Sequence, residues 1–349
     1  MAGLDASSDT NETAPASTGR VTLRDIADAV GVSISTASRA LSGAPGISGD
    51  VRLRIQSAAA RLNYTGTTGA LPGISLISVL TDLHLAEADA GEFNQSVHRG
   101  IQRRARELGL TLSMTLLSSG AAQIEPNEDA SGYLLLSTQQ EDLVQMLYER
   151  GIPAVIVNGR EPLMRLDAVA PANGTGGYLG ACHLIELGHT RILTLAHSQR
   201  PTIRDRIRGS QRAMREAGVK ADEDLIIELE VLRTNLAYSA VRQRMQNRGG
   251  PDFTAIQCFN DACAFGAIAA LTEAGLNVPA DISVIGFDDI STAALNSVPL
   301  TTIRVESEDI GARSLNRLIE RIRSQDHLAT YTETAVKLVV RDSTAPVRQ

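Results

Sequence analysis

The sequence predicts an α/β protein in which a three-helix head of the helix-turn-helix type precedes a larger body of two strand–helix lobes. Three observations carry that class. Two short amphipathic helices between Leu23 and Leu41 are separated by a single glycine, and each starts at a good cap. Apolar runs of strand length alternate with helical segments from Ile74 to Gly286, which implies parallel sheets with helices on both faces. The alternation falls into two sets, and two sets imply two lobes. A chain of 349 residues suits two or three such domains.

In the head, Thr22 is a favourable N-cap for a helix whose Leu23, Ile26, Ala27 and Val30 share one face. Gly31 ends it, because glycine enters the left-handed region without strain. Ser33 then caps a second helix with Ala37 and Leu41 inward, and the small Ala27 and Ala37 allow a close crossing. This is helix-turn-helix spacing, in which the second helix enters the major groove. Its outward residues are Ile34, Ser35, Ser38 and Arg39, a set suited to a thymine methyl, base edges and phosphates. Thr22, Ser33, Ser48 and Tyr64 are assigned with them to the DNA-contacting surface. A third helix is expected from Ser48, with Val51, Ile55, Ala58 and Leu62 as its apolar stripe.

In the body, strands are expected at Ile74–Leu80, Leu112–Leu117, Gly132–Leu136 and Ala154–Val157, with helices at Glu92–Leu108 and Glu141–Arg150. The second set has strands at Ile192–Ala196, Leu225–Leu229, Ala255–Cys258 and Ile282–Gly286. Its helices are expected at Gly177–Leu187, Arg208–Ala217, Ala237–Asn247 and Ala262–Ala274. Ligands of open parallel sheets sit beyond the carboxyl ends of the strands. Polar residues just past those ends are therefore the candidate ligand contacts: Asp82, Asn158, Asn260 and Asp288, with Arg204 in the loop after Ile192–Ala196. Carboxylates and amides bridge neighbouring hydroxyls and a guanidinium binds two oxygens at once, so the set suits a small polyhydroxyl molecule. Arg206 is expected to bond within the protein, and His183 and His189 to pack and cap.

Composition narrows the alternatives. The formal charge is −7, yet between Arg20 and Tyr64 six arginines face only Asp25, Asp28 and Asp50. A basic module on an acidic body fits a DNA-reading head joined to a domain that leaves DNA alone. The polar segment 1–19 is expected to be a disordered tail and not a secretory signal, and no run reaches the roughly 18 apolar residues of a membrane span. Cys182, Cys258 and Cys263 give no disulfide framework and no zinc set, so a reducing cytoplasm, no metal and no cofactor are expected. An exported solute receptor is disfavoured by the basic head. An enzyme acting on a sugar or nucleotide is disfavoured because no phosphate loop, metal motif or nucleophile elbow appears, so no catalytic residue is assigned.

The segment VTLRDIADAVGVSISTASRALSG, followed by RIQSAAARLNY, resembles the head of the lactose-repressor/galactose-repressor family of bacterial transcription regulators. HLIELGHTRI, RDRIRG, FNDACAFGAI, ISVIGFDDI, PLTTI and LVVRDST follow in the family's order, so the resemblance spans nearly the whole chain from Val21. It implies a periplasmic-binding-protein-like body of two Rossmann-like lobes with a ligand cleft between them. It also implies a repressor whose operator affinity a small sugar-like effector controls. Arg204, Asn260 and Asp288 align with the family's effector-contacting positions, and Asp82 and Asn158 more loosely. Operator symmetry implies a homodimer on double-stranded DNA, and no leucine heptad suggests a tetramer. The expected division is tail 1–19, DNA-binding domain 20–64, linker 65–73 and effector-binding and dimerisation domain 74–349. Two departures stand out. Ala172-Asn173 replaces the family's frequent Asp-Asn pair, and Gly66, Gly69, Pro72 and Gly73 make the linker a poor helix.

Overall fold

In the computed structural model, residues 21–41, 46–62, 71, 73–82, 88–117, 127–138, 140–220, 222–324 and 328–348 are described. The expected tail, Tyr64 and linker residues 65–70 and 72 lie outside them. The chain divides at Pro72–Gly73 into two compact units.

The first unit holds α1 (Leu23–Val30), α2 (Ile34–Leu41) and α3 (Gly49–Arg61). Thr22 closes a capping box: its Oγ1 accepts from Asp25 N, and its own N–H donates to Asp25 Oδ2 at 2.6 Å. That bond is the main reason the Asp25 carboxyl sits below its usual range. Gly31 ends α1 at φ 73°, a left-handed position that costs any residue with a Cβ. Ser33 Oγ accepts from Thr36 N at 3.1 Å and caps α2. Ile26, Ala27, Ala37, Ala40, Ile55 and Ala58 form the core. Ala40 joins the inner face, and Leu41, expected there, is partly buried and packs against the same core. From α3, Arg54 Nη2 donates to Val30 O at 3.1 Å and satisfies a carbonyl at the end of α1.

The second unit has two parallel sheets. The first lobe contains β1 (Leu76–Asp82), α4 (Ala88–Leu108), β2 (Thr111–Leu117), β3 (Gly132–Leu136), α5 (Glu141–Glu149), β4 (Ala154–Val157) and β5 (Asp167–Pro171). The chain then enters the second lobe with α6 (Asn173–Glu186), β6 (Ile192–Ala196), α7 (Pro201–Glu216), β7 (Ile226–Glu228) and α8 (Thr234–Arg248). β8 (Ala255–Cys258), α9 (Asp261–Glu273), β9 (Ser283–Ile285) and β10 (Thr302–Val305) follow. α10 (Ser307–Arg323) and β11 (Tyr331–Thr334) return to the first lobe, and β12 (Val336–Val339) ends in the second. The first sheet runs β11-β5-β4-β3-β1-β2 and the second β7-β6-β8-β9, while β10 and β12 form an antiparallel pair. The lobes are therefore joined at β5–α6, β10–α10 and β11–β12.

The strands at Gly132–Leu136, Ala154–Val157, Ile192–Ala196 and Ala255–Cys258 fall where the sequence pattern puts them. Helices α4, α6 and α8 begin at Ala88, Asn173 and Thr234, three or four residues earlier than expected, and two further features differ. Helix α7 begins at Pro201, not Arg208, because proline at the first helical position has its φ already set and no N–H to lose. Arg204 thus lies on a helix and not in a loop. Elements β5, β10, α10, β11 and β12 go beyond the pattern as read, although the buried Ile310, Ser314, Leu318 and Ile319 of α10 recur at helical spacing. Where α6 crosses α7, a Cβ on Gly177 would strike Arg206 O and one on Gly209 would strike Gly174 O, so both glycines are required for the approach. Among the described residues no helix is long and apolar enough to cross a membrane.

Candidate nucleic-acid interface and ligand cleft

On the head, core demands use up one face of α2 and leave the other to solvent. Ile34 is 42% exposed despite its apolar side chain, and Ser35, Ser38 and Arg39 are exposed beside it. Thr22, Ser33 and Ser48 are exposed as well. Ser33 is partly committed: its Oγ lies 2.9 Å from Ser35 Oγ and 2.8 Å from Thr36 Oγ1. An exposed isoleucine among hydroxyls and a guanidinium is a surface that offers apolar, hydrogen-bonding and charged contacts together.

In the body, polar side chains gather past the strand ends of both lobes. Asp82 closes β1, and its Oδ1 accepts from Thr138 Oγ1 at 3.1 Å and Gln140 Nε2 at 2.9 Å. Ser137 after β3 and Asn158 after β4 both sit at φ 55°, a left-handed position that costs a non-glycine residue about 1–2 kcal/mol. Asn158 Nδ2 donates to Ser137 Oγ, which donates to Asn94 Oδ1, each at 3.1 Å. Asn158 Oδ1 is buried without a partner.

Across from these, Asp288 sits at φ 112° with its backbone pinned to β10: its N–H donates to Ile303 O at 2.8 Å, and its carbonyl accepts from Val305 N. Its Oδ1 is 3.7 Å from Arg206 Nη1. Arg206 is 4% exposed, and its guanidinium carbon lies 3.5 Å from the Phe287 ring centroid. Its Nε donates to Asn173 Oδ1 at 2.8 Å, and its Nη1 donates to Phe259 O. Burial lowers the guanidinium to about 10, against the pull of Asp288. Burial also pushes the Asp288 carboxyl up to about 7, with Arg206 and Arg200 opposing. Arg200 is lowered by burial while Asp288 and Asp82 pull it back, so one guanidinium feels carboxylates of both lobes. Neighbouring Asp261, buried in the same lobe and raised well above the usual range by burial, is committed elsewhere: it accepts from Thr302 Oγ1 at 2.6 Å and Ile290 N at 2.9 Å.

Of the candidates, Asp82, Asn158 and Asp288 belong to this gathering. Arg204 does not: its Nη1 donates to Ser198 O and Gln199 O, both at 3.0 Å, and fastens the entry to its own helix. The guanidinium beside Asp288 belongs to Arg206, which bonds within the protein as expected, to Asn173, the Phe259 carbonyl and Asp288. With α7 starting at Pro201, positions two apart point about 200° apart around the axis, so the helix start sets which arginine turns toward Asp288. Asn260 is a helix cap, its Oδ1 accepting from Cys263 N at 2.8 Å and its Nδ2 donating to Leu232 O at 3.1 Å. Asp289 is held by Arg304 and Arg341, at 2.6 and 2.7 Å. Arg200, Ser137 and Asn173 were not anticipated. Asn173, at the departure from the Asp-Asn pair, orients Arg206. His189 packs as expected, against Thr254, Ser283 and Ala345 O. Among the described residues no group of three or more His, Cys, Asp or Glu side chains could hold a metal ion.

Residues 22–66 match the model of bacterial regulatory proteins of the lacI family, and residues 181–344 match the periplasmic binding protein-like domain. The chain is 30% identical over 334 residues to an HTH-type transcriptional repressor, PurR of Vibrio atlanticus strain LGP32, which covers 92% of this chain and 98% of the relative. Among solved structures, the transcriptional regulator CelR–cellobiose complex superposes with a TM-score of 0.69 at 26% identity, covering 93% of this chain and all of that one. The lac repressor dimer bound to operator and the anti-inducer ONPF superposes with a TM-score of 0.66 at 26% identity, covering 94% of this chain and all of that one.

Proposed function

The chain belongs to the lacI family of bacterial regulatory proteins, a DNA-binding transcription regulator and not an enzyme, and from that premise we infer what it senses and how. It is a cytoplasmic repressor that binds double-stranded operator DNA as a homodimer, with its affinity set by a sugar or sugar derivative. Residues 20–64 form the DNA-binding domain, 65–73 the linker and 74–349 the effector-binding and dimerisation domain. The observation that carries the reading is the buried Arg206–Asp288 pair, 3.7 Å apart in the second lobe, with Arg200 under the electrostatic pull of both Asp288 and Asp82 of the first lobe, a set of two carboxylates and two guanidiniums. Such a set binds vicinal hydroxyls by paired acceptors and donors, and the Phe287 ring behind Arg206 fixes the plane of its guanidinium. Because ligand contacts come from both lobes, ligand binding favours one interlobe geometry, which is the differential contact a switch requires. Arg206 takes the contacting role first given to Arg204, and Asn260 serves as a cap.

A thermal-shift screen of the full chain against sugars, polyols and purines tests this. A ligand at a hundred times its dissociation constant adds about 2.7 kcal/mol of stability. A purine hit with no sugar hit would replace the sugar reading, and silence across all three classes would remove it.

The ligand's pH dependence is a second expectation. Hydroxyls donating to Asp288 favour its ionised form, and that carboxyl holds its proton up to about pH 7 in the free protein. Affinity should therefore fall by up to about tenfold per pH unit below 7 and level off above it. Calorimetric titration from pH 5.5 to 8.5 reads this directly, and Asp288→Asn should flatten the profile.

For the head, exchanging Ile34 and Ser35 should alter base preference, by about 1–3 kcal/mol per changed contact. Replacing Arg39 should weaken every site alike and reduce the salt slope by about 1. Sequences selected from a random duplex pool distinguish the two classes of variant. Identical preferences for wild type and the Ile34/Ser35 variants would show that α2 does not face the bases.

A further inference from the structure

A cavity of about 430 Å³ lies outside the cleft, on a neighbouring face of α7. Asp205, Arg208, Arg212 and Arg215 line it at helical spacing, one stripe of α7, while the first lobe supplies Arg160 and Glu333. Gly174 and Gly209 also line it, where the backbones of α6 and α7 approach closely.

The charges do not cancel. Four arginines face two carboxylates in one cavity of a chain whose net charge is −7. Asp205 is shared, 3.5 Å from Arg160 and 3.2 Å from Arg208. Arg212 reaches Glu216 only at 3.7 Å, an exposed pair of the kind worth about 0–1 kcal/mol. Among the described residues Arg215 has no carboxylate partner. The guanidiniums are also oriented: Arg212 lies 4.2 Å over the Tyr178 ring and Arg160 5.4 Å over that of Tyr331. Stacking leaves the in-plane N–H groups free to donate, and the planar fork matches the oxygens of a phosphate better than a point charge does.

We propose that this cavity is a second ligand site, for a small phosphorylated molecule, separate from the cleft that holds Asp288. Its volume lies in the range of small-molecule pockets, so it admits a metabolite-sized ligand and not only a bare ion. The phosphoryl group sits among Arg208, Arg212 and Arg215, with Arg160 closing from the first lobe. An anion held there competes with Asp205 for Arg160, an ion pair that joins the lobes, so occupancy alters a contact between them. The site thus gives a phosphorylated molecule its own leverage on the lobe arrangement, through contacts separate from those in the cleft.

Calorimetric titration of the full chain with inorganic pyrophosphate, at constant ionic strength and without DNA, is the test. One saturable site per chain is expected, with citrate binding at least tenfold more weakly. Arg212→Ala/Arg215→Ala should weaken pyrophosphate at least tenfold, Arg212→Lys/Arg215→Lys should recover part of the loss, and Asp288→Asn should leave it unchanged. Both arginines are on the surface, so melting curves should show the double variants folded. Equal pyrophosphate affinity in wild type and the alanine double variant would overturn the proposal. So would loss of binding in Asp288→Asn, which would place the anion in the cleft, or a response that sodium chloride reproduces.

Discussion

Arg206→Ala is expected to abolish the ligand response of operator binding while leaving the ligand-free protein's operator affinity close to wild type. The side chain is 4% exposed, stacked on Phe287, oriented by Asn173 and the Phe259 carbonyl, and 3.7 Å from Asp288. Hydrogen bonds to charged groups contribute about 1.5–3 kcal/mol each, so losing two of them to a ligand weakens it by roughly a hundredfold or more. Control of the head vanishes with them, because a ligand shifts an equilibrium only through contacts that differ between its states. Alanine also leaves the Asn173 amide oxygen and the Phe259 carbonyl without their buried donor and removes the group stacked on Phe287, so the melting temperature should drop. Arg206→Lys, which keeps charge without the planar fork, should retain little affinity. Arg204→Ala is the contrasting variant: its guanidinium serves two carbonyls of its own helix entry, and ligand affinity should stay within about tenfold. Ligand binding measured for both variants decides the assignment. Full affinity in Arg206→Ala with loss in Arg204→Ala would return the role to Arg204.

Asp167→Ala should be the most destabilising single change in the body, by roughly 3–5 kcal/mol, the range for removing one partner of a buried ion pair. Asp167 is fully buried at the start of β5. It accepts from Arg317 Nε at 2.9 Å and Arg321 Nε at 2.7 Å on α10, and from Thr330 N and Oγ1 at 2.7 and 2.9 Å beside β11. One carboxylate thereby binds together the three segments where the chain leaves and re-enters the first lobe. Against a typical total of about 5–15 kcal/mol, the loss is a large share of stability. Burial alone would raise this carboxyl, but the Thr330 backbone bond and the two arginines outweigh it, and the net direction is down from 3.8. A depressed folded pKa gives stability that is present above the unfolded value and lost as pH falls through the folded one. The gap between wild type and Asp167→Ala should therefore be full at neutral pH and close only below about pH 4. Urea melts from pH 7 to pH 3 measure it. Coincident melts at pH 7 would show that the arginines find other partners, and a gap that closed on raising the pH would reverse the sign of the argument.

The head and the candidate cleft differ in how much a linear sequence reveals. In the head every determinant is local: the Thr22 capping box, the left-handed Gly31 and the Ser33 cap each act within four residues. Helical periodicity then leaves Ile34, Ser35, Ser38 and Arg39 outside without reference to distant chain. Only the full burial of Ala40 beside a partly buried Leu41 needed the packed core. In the body, strands buried on both faces read as apolar runs, and Asp82, Asn158 and Asp288 follow them at the ends where parallel sheets bind ligands. Arg204 and Arg206 could not be separated in that way, because which one turns inward depends on where α7 begins. Asn260 reads as a ligand contact by position and serves as a cap by geometry.

The sequence by itself determined the helix-turn-helix head, its outward face, the alternating α/β body and the family, because periodicity, caps and ordered motifs depend on near neighbours along the chain. Tertiary structure alone decided which arginine meets Asp288 and which carboxylate binds the lobe crossings. It also decided that Arg160 and Glu333 complete a cavity begun on α7. The physical reason is common to all three: a charge buried or gathered by folding takes its partner from chain that is remote in sequence. Strands β7, β8 and β9 of the second sheet lie between Arg206 and Asp288 along the chain, and Asp167 meets α10 only after the chain has crossed to the other lobe and back.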